Sequence, residues 1–205
     1  MYAIVTNNEI TKFINHPKSL VIGDVRYPAK IFSVWSASEL NAIGIYEVVF
    51  DNSNKKDEKW YINTNQSFDF DGNEVTASYG TATPKAHADS LWTAQDETDG
   101  KGTEGEVATR GLKYNLIQTL KQQVANELAR TDWYITRNTE KSTAIPSAIS
   151  THRDAVRTKQ AEMETAITNA SDTPALETLY TYVNTGTEEN PVYEKPLGEL
   201  PTLES

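Results

Sequence analysis

Apolar residues recur at helical spacing through the second half of the chain, and this pattern constrains the fold more than any other feature. The first stripe consists of Leu112, Leu116, Ile117, Leu120, Val124 and Leu128. It would cover one face of a helix of four to five turns (about 3.6 residues per turn). Pro146 suits the first turn of a second helix, where its fixed φ fits and its missing N–H costs nothing. Ile149, Val156 and Met163 then recur every seven residues, as in paired helices. The pattern predicts a helical hairpin with a polar connector after Tyr134.

The first part of the chain, residues 1–87, has the short apolar runs and turn signals of a β-rich domain. Asn7 and Asn8 separate two apolar runs, and paired Asn residues tolerate the positive φ of a tight hairpin turn. Ser36 and Glu39 have the spacing of a capping box, which predicts one short helix. The sequence Asp71-Gly72-Asn73 predicts a turn before a returning strand. We therefore expect a small antiparallel sheet with one short helix.

Two acidic segments flank the predicted helices. Residues 88–108 carry six acids against Lys101, and residues 184–205 carry five against Lys195, so they hold most of the formal charge of −10. Residues 88–111 are also rich in Gly and predict a linker or extended arm. The predicted fold class is α+β, with a β-rich domain at 1–87, this linker, a helical domain at 112–183 closed by a short helix after Asp172, and an extended C-terminal tail at 184–205.

The residue types needed for most chemistry are absent or badly placed. The chain has no Cys, and His16, His87 and His152 are isolated from one another. The Asp69–Asn73 segment has its Gly too early for a calcium loop, so a hairpin turn explains it better. We predict no catalytic residues, no metal and no cofactor, and therefore no enzyme. The acidic balance argues against nucleic acid, and neither a secretion signal nor an apolar run long enough for a membrane span is recognisable.

Four residues remain as candidates for binding another protein: Trp133, Tyr134, Arg153 and Arg157. Trp, Tyr and Arg are the residue types most enriched at binding hot spots, so together they would form a recognition surface. A purely structural alternative is that Trp133 buries its ring where two helices meet, while Arg153 and Arg157 lie one turn apart in solvent. Both interpretations stay open on the sequence alone.

The same region carries a resemblance. The block Leu128–Tyr134 (LARTDWY), the pair Ile145-Pro146 and the segment His152–Arg157 (HRDAVR) resemble the C-terminal region of tail-fibre assembly and tail-assembly-chaperone-like proteins of tailed bacteriophages. One departure is His152, where the helix of that family usually carries Tyr. Further short stretches resemble uncharacterised proteins encoded among virion genes of marine phages: MYAIV at 1–5, VWS at 34–36, NAIGIY at 41–46 and LGELP at 197–201.

The resemblance implies a non-enzymatic protein of a tailed phage, located in the virion and, during assembly, in the host cytoplasm. Its partners would be other virion proteins of the tail, fibre or capsid, with homo-oligomerisation as a further possibility. The first expectation is a structural virion component whose linker and tail staple neighbouring subunits. The alternative is an assembly chaperone absent from the mature particle, and a weaker one is a receptor-binding module for the host surface.

Overall fold

The computed structural model describes residues 1–203 and divides the chain into two compact units, Met1–Thr83 and the part from Pro84 onward. The first unit is built mainly of strands and the second mainly of helices, which confirms the α+β fold class. The division lies slightly before the predicted start of the linker at residue 88.

The N-terminal unit has a mixed sheet with the strand order β2-β1-β5-β8-β7. Its elements are β1 (Tyr2–Thr6), β2 (Glu9–Ile14), β3 (Leu20–Ile22), β4 (Val25–Tyr27), α1 (Ile31–Val34), α2 (Ala37–Ala42), β5 (Ile45–Asp51), β6 (Tyr61–Ile62), β7 (Ser67–Phe70) and β8 (Val75–Ser78), and β9 (Thr83–Pro84) ends it. The strands contribute to two apolar clusters, because successive side chains of a strand point to opposite sides of the sheet. One face packs Ile4 and Ile45 beneath the helices, and the other packs Ala3, Val48 and Val75.

The prediction of an antiparallel sheet is wrong for one pair of strands. β5 and β8 run parallel, with Val48 opposite Val75 and Phe50 opposite Ala77. The chain leaves β5, forms β7 as the outer strand and returns as β8 between the two. Alternation of apolar residues reveals which face of a strand is buried, but not the direction of the strand beside it.

The local turn and cap predictions of this unit are confirmed. Asn7 and Asn8 adopt φ values of 54° and 65° in the β1–β2 hairpin. The Ser36 hydroxyl accepts a hydrogen bond from the backbone N–H of Glu39, and the Glu39 carboxylate accepts one from the N–H of Ser36. Gly44 follows α2 with φ +80°, and a Cβ there would lie 2.6 Å from the carbonyl oxygen of Val5. Only Gly fits this position, since it combines a left-handed backbone with a close backbone neighbour.

The C-terminal unit contains the predicted helical hairpin, in which α4 packs mainly on α6. Its elements are β10 (Ser90–Leu91), α3 (Ala94–Thr98), β11 (Val107–Thr109), α4 (Leu112–Ala129), α5 (Asp132–Lys141), α6 (Ser147–Asn169), α7 (Thr173–Tyr180), β12 (Val183–Asn184) and β13 (Tyr193–Glu194). Ile149, Val156 and Met163 are buried, as the seven-residue spacing predicts. The polar connector is shorter than expected, because residues 132–141 form α5 and only residues 142–146 link it to α6.

Residues 88–111 do not form the predicted linker or extended arm. β10 and β11 pair antiparallel, and α3 lies in the loop between them. The acids are used locally: Asp96 accepts hydrogen bonds from Thr93 and pairs with Lys101, and these contacts lower the pKa of Asp96 to about 2. Asp89 accepts hydrogen bonds from the N–H of Gly111 and from Arg110. Acidity and Gly content suggested a solvated chain, whereas here they supply the caps and turns of a small folded motif.

The C-terminal tail also differs from its prediction, since it returns to its own unit. β12 and β13 form a short hairpin, after which the N–H of Leu197 donates to the carbonyl of Leu179 at 3.0 Å. The Leu197 side chain is only 4% exposed, and the following residues line a groove along α4. Most of the tail is therefore part of the folded C-terminal unit. The last two residues of the predicted tail, Glu204 and Ser205, lie outside the described residues.

Leu197→Ala tests whether this seat is part of the folded unit. We expect the free energy of unfolding to fall by about 2–4 kcal/mol, because a buried Leu side chain is lost and a cavity remains. Urea unfolding followed by helical circular dichroism measures it. Val192→Ala is the matched control on the exposed part of the tail, with an expected change within about 0.5 kcal/mol. Equal effects of the two substitutions would mean that the tail is not anchored.

Candidate partner-binding surface

The junction between α4 and α5 is held to α6 by the side chain of Arg153. Its Nη1 donates to the carbonyl of Leu128 at 2.8 Å, to the Thr131 hydroxyl at 2.7 Å and to Asp132 Oδ1 at 2.8 Å. Leu128 lies in the last turn of α4, where carbonyls carry partial negative charge, and its carbonyl also accepts a hydrogen bond from the backbone N–H of Thr131 at 3.0 Å. Arg153 therefore caps the end of one helix and binds the acid in the first turn of the next.

Burial makes this arrangement more than a surface ion pair. Arg153 is 8% exposed and Thr131 is 1% exposed, whereas the Asp132 side chain stays largely in solvent. The Thr131 hydroxyl also donates to the carbonyl of Leu128, so the turn between the helices satisfies its own polar groups. A buried charge is tolerated where it is paired and hydrogen-bonded in this way. The start of α5 is consequently fixed relative to α4 and α6.

His152 reinforces the same junction from the neighbouring position on α6. Its Nε2 lies 3.1 Å from Glu127 Oε1, and both side chains are largely buried. Burial raises the pKa of Glu127, but hydrogen bonds from Arg130, the backbone of Leu203 and His152, together with the charge of Arg130, outweigh it and hold that pKa below its ordinary value. Glu127 is thus an anion with three hydrogen-bonding partners. Through Glu127, His152 connects α6 to α4.

Helix α5 extends from this fixed junction and buries none of its own residues. Trp133 is 51% exposed, and its ring centroid lies 3.8 Å from that of Tyr134. The guanidinium carbon of Arg137 lies 4.7 Å from the Trp133 centroid and 5.4 Å from that of Tyr134. Arg137 is four residues after Trp133 and three after Tyr134, which are the spacings at which helical side chains meet. Ile135 is also exposed, but it lies on the other side of the helix, because residues two apart on a helix do not face each other. We call Trp133, Tyr134 and Arg137 the α5 surface.

The four candidate residues are therefore divided by the fold. Trp133 and Tyr134 lie together on α5, and the alternative in which Trp133 buries its ring is wrong. Arg153 is not the surface residue that either interpretation required, since its guanidinium is buried in the junction. Arg157 is exposed, and its Nη1 lies 3.5 Å from Oδ1 of Asp154 on the same helix. The one-turn spacing of the two arginines did not reveal that α6 directs one of them inward.

Arg137 is the residue that sequence reasoning missed. A signal for it was available, because its offsets from Trp133 and Tyr134 are those of a helical stack. The signal was lost because residues 135–141 were interpreted as connector. Once that stretch is a helix, the three side chains meet on one surface.

Three further findings concern metal sites, membrane-spanning helices and similarity to known proteins. Within residues 1–203, no group of three or more His, Asp or Glu side chains could hold a metal ion. Of the helices described, none combines the length and the apolar character needed to cross a membrane. No protein-family model, curated protein or solved structure matches the chain.

Arg153→Met tests the junction. Removing the guanidinium leaves the Leu128 carbonyl and the Thr131 hydroxyl without their charged donor inside the protein, so the free energy of unfolding should fall by about 2–4 kcal/mol. Arg157→Met removes the same group from an exposed position on the same helix and should change it by no more than about 0.5 kcal/mol. Chemical denaturation of both variants makes the comparison. If Arg153→Met lowers the free energy of unfolding no more than Arg157→Met does, Arg153 does not hold the α4–α5 junction.

Proposed function

We propose that this chain is a non-enzymatic protein of a tailed bacteriophage that binds other virion proteins through the α5 surface. The observation that carries the proposal is the combination of a fixed helix start with a helix that buries none of its residues and exposes half of Trp133. A rigid, exposed aromatic group loses little conformational entropy on binding and is typical of hot spots. The phage setting rests on the resemblance of the LARTDWY and HRDAVR segments, which lie at this junction.

Two roles use such a surface. As a structural component of the tail, fibre attachment or capsid, the protein would keep its partner in the mature particle. As an assembly chaperone it would hold the same subunit and leave. The expectation of a permanent staple rested on two free extensions, and both fold onto their own unit. The folded extensions remove that argument for a permanent staple, and for this reason the chaperone role is the second candidate. Both roles use the same α5 surface.

Mass spectrometry of purified, salt-washed particles separates the two roles. The structural role predicts the protein at a fixed ratio to known tail or capsid subunits. The chaperone role predicts its loss from mature particles and its presence in assembly intermediates together with a fibre or tail subunit. Absence from both preparations would reject the proposed function itself.

Trp133→Ala tests the surface. The variant should keep its helicity and lose no more than about 2 kcal/mol of stability, because the half-exposed ring gives up one aromatic and one cation–π contact. Binding to the virion subunit that co-purifies with the wild-type chain should weaken roughly 30-fold or more, as for a hot spot of about 2 kcal/mol. Tyr193→Ala is the matched control, because Tyr193 is at least as exposed but lies on the C-terminal hairpin. Unchanged binding by a folded Trp133→Ala variant would reject the α5 surface.

A further inference from the structure

Arg137 carries a charge that its own chain does not neutralise. In the part of the chain that the structure describes, no carboxylate forms a salt bridge with it, and its Nε is buried without a hydrogen-bond acceptor. The guanidinium stacks against Trp133 and Tyr134 instead. Stacking and neighbouring atoms cover the flat faces of the group and its Nε–H, whereas the two Nη groups, which form the free edge of the guanidinium, have no hydrogen-bond partner within residues 1–203.

The nearby acids are already committed or do not reach this group. Asp132 accepts from Arg153, and Glu140 lies on α5 three residues after Arg137 without forming an ion pair with it in the described structure. The wider surroundings supply no excess of negative charge either. Residues 112–183 contain eight Lys and Arg residues and eight Asp and Glu residues, so the helical stretch is neutral even though the whole chain is at −10.

We propose that the α5 surface takes a carboxylate, from an acidic side chain in a partner protein segment, on the free edge of Arg137. This inference rests on the proposed function, since it names the chemistry of the partner at the same surface. A carboxylate can accept two parallel N–H bonds from a guanidinium, a geometry that water reproduces poorly. Trp133 and Tyr134 would then cover apolar atoms of the same segment, which combines a charged contact with a desolvated rim.

A nucleic acid fits the site less well. Binding a phosphate backbone uses several cations in a row, whereas the surrounding helices are neutral and the chain as a whole is acidic. A purely apolar segment also fits less well, because it would cover Arg137 and leave its N–H groups without acceptors. These two alternatives become outcomes of the test.

The experiment uses ¹⁵N-labelled full-length protein and three probes of stated composition. The first is the peptide acetyl-Asp-Glu-Leu-Glu-Asp-amide, the second is its neutral analogue acetyl-Asn-Gln-Leu-Gln-Asn-amide, and the third is an oligothymidine. The Nε–H resonance of Arg137 and the indole N–H of Trp133 report binding directly. We expect the acidic peptide to shift both resonances and to bind at least about tenfold more tightly than the neutral one, at concentrations up to about 5 mM, which covers the weak affinities of short peptides.

Substitutions assign the effect to the guanidinium. Arg137→Gln should reduce binding of the acidic peptide to the level of the neutral one. Lys141→Gln removes the same charge from the last turn of α5, away from the rings, and should leave binding unchanged. Equal effects of the two substitutions would mean that net charge alone attracts the peptide, and this would overturn the assignment to Arg137.

The remaining outcomes are equally decisive. Equal binding of the two peptides, preferential binding of oligothymidine, or no shift with any probe would each overturn the carboxylate inference. None of these outcomes contradicts the proposed function. That proposal fails separately, if Trp133→Ala leaves binding to the virion subunit unchanged. If Trp133→Ala loses subunit binding while the acidic and neutral peptides bind equally, the α5 surface is retained as the binding site. Only the acidic character of its partner is then rejected.

Discussion

The contact of Arg153 with the α4–α5 junction is the interaction on which the geometry of the helical unit depends. A chain that leaves one helix and starts another within two residues must satisfy carbonyls at the first helix end and fix the direction of the second. One guanidinium does both, because it reaches Leu128, Thr131 and Asp132 together. The contact joins positions more than 20 residues apart in sequence, so it also fixes α6 against the junction.

The contact of Arg153 with the junction explains how α5 can be ordered although it is exposed to solvent. A helix of ten residues is marginal in water on its own, and α5 has no buried face to stabilise it. Its start is fixed by Arg153, while its end is closed by Ser142 in a left-handed conformation and by the Asn138 side chain bonding to Thr143. With both ends held, the aromatic stack stays in solvent on a rigid support. Such a surface can bind a partner without first ordering itself.

The features that were predicted from the sequence are those that local chemistry decides. The Asn7-Asn8 turn and the Ser36–Glu39 capping box depend on residues near one another in the chain, and the spacing of Ile149, Val156 and Met163 marks the side of α6 that is buried. The parallel pairing of β5 with β8 depends on a strand that is distant in sequence. The alternation of apolar and polar residues along β5 does not indicate it.

The candidate surface was predicted only in part for the same reason. Trp133 and Tyr134 were recognised by residue type, but the role of Arg153 depends on which side of α6 faces the junction. Arg137 was missed because residues 135–141 were interpreted as a connector, so its helical offsets from Trp133 and Tyr134 were not considered. In residues 88–111, acidity was interpreted as solvation, whereas capping and ion pairs use the acids in a folded motif.

Site-specific photo-crosslinking from position 134 tests the central claim most directly, which is that α5 is the surface in contact with a partner. A photoreactive aromatic residue replaces Tyr134, which belongs to the aromatic stack, and a second variant carries it at Val192 on the C-terminal hairpin. Irradiation during phage assembly, followed by mass spectrometry, identifies the protein in contact with each position. We predict one virion subunit crosslinked from position 134 and not from position 192. A crosslink to that subunit from position 192 alone, or none from position 134 in a folded protein, would contradict this claim.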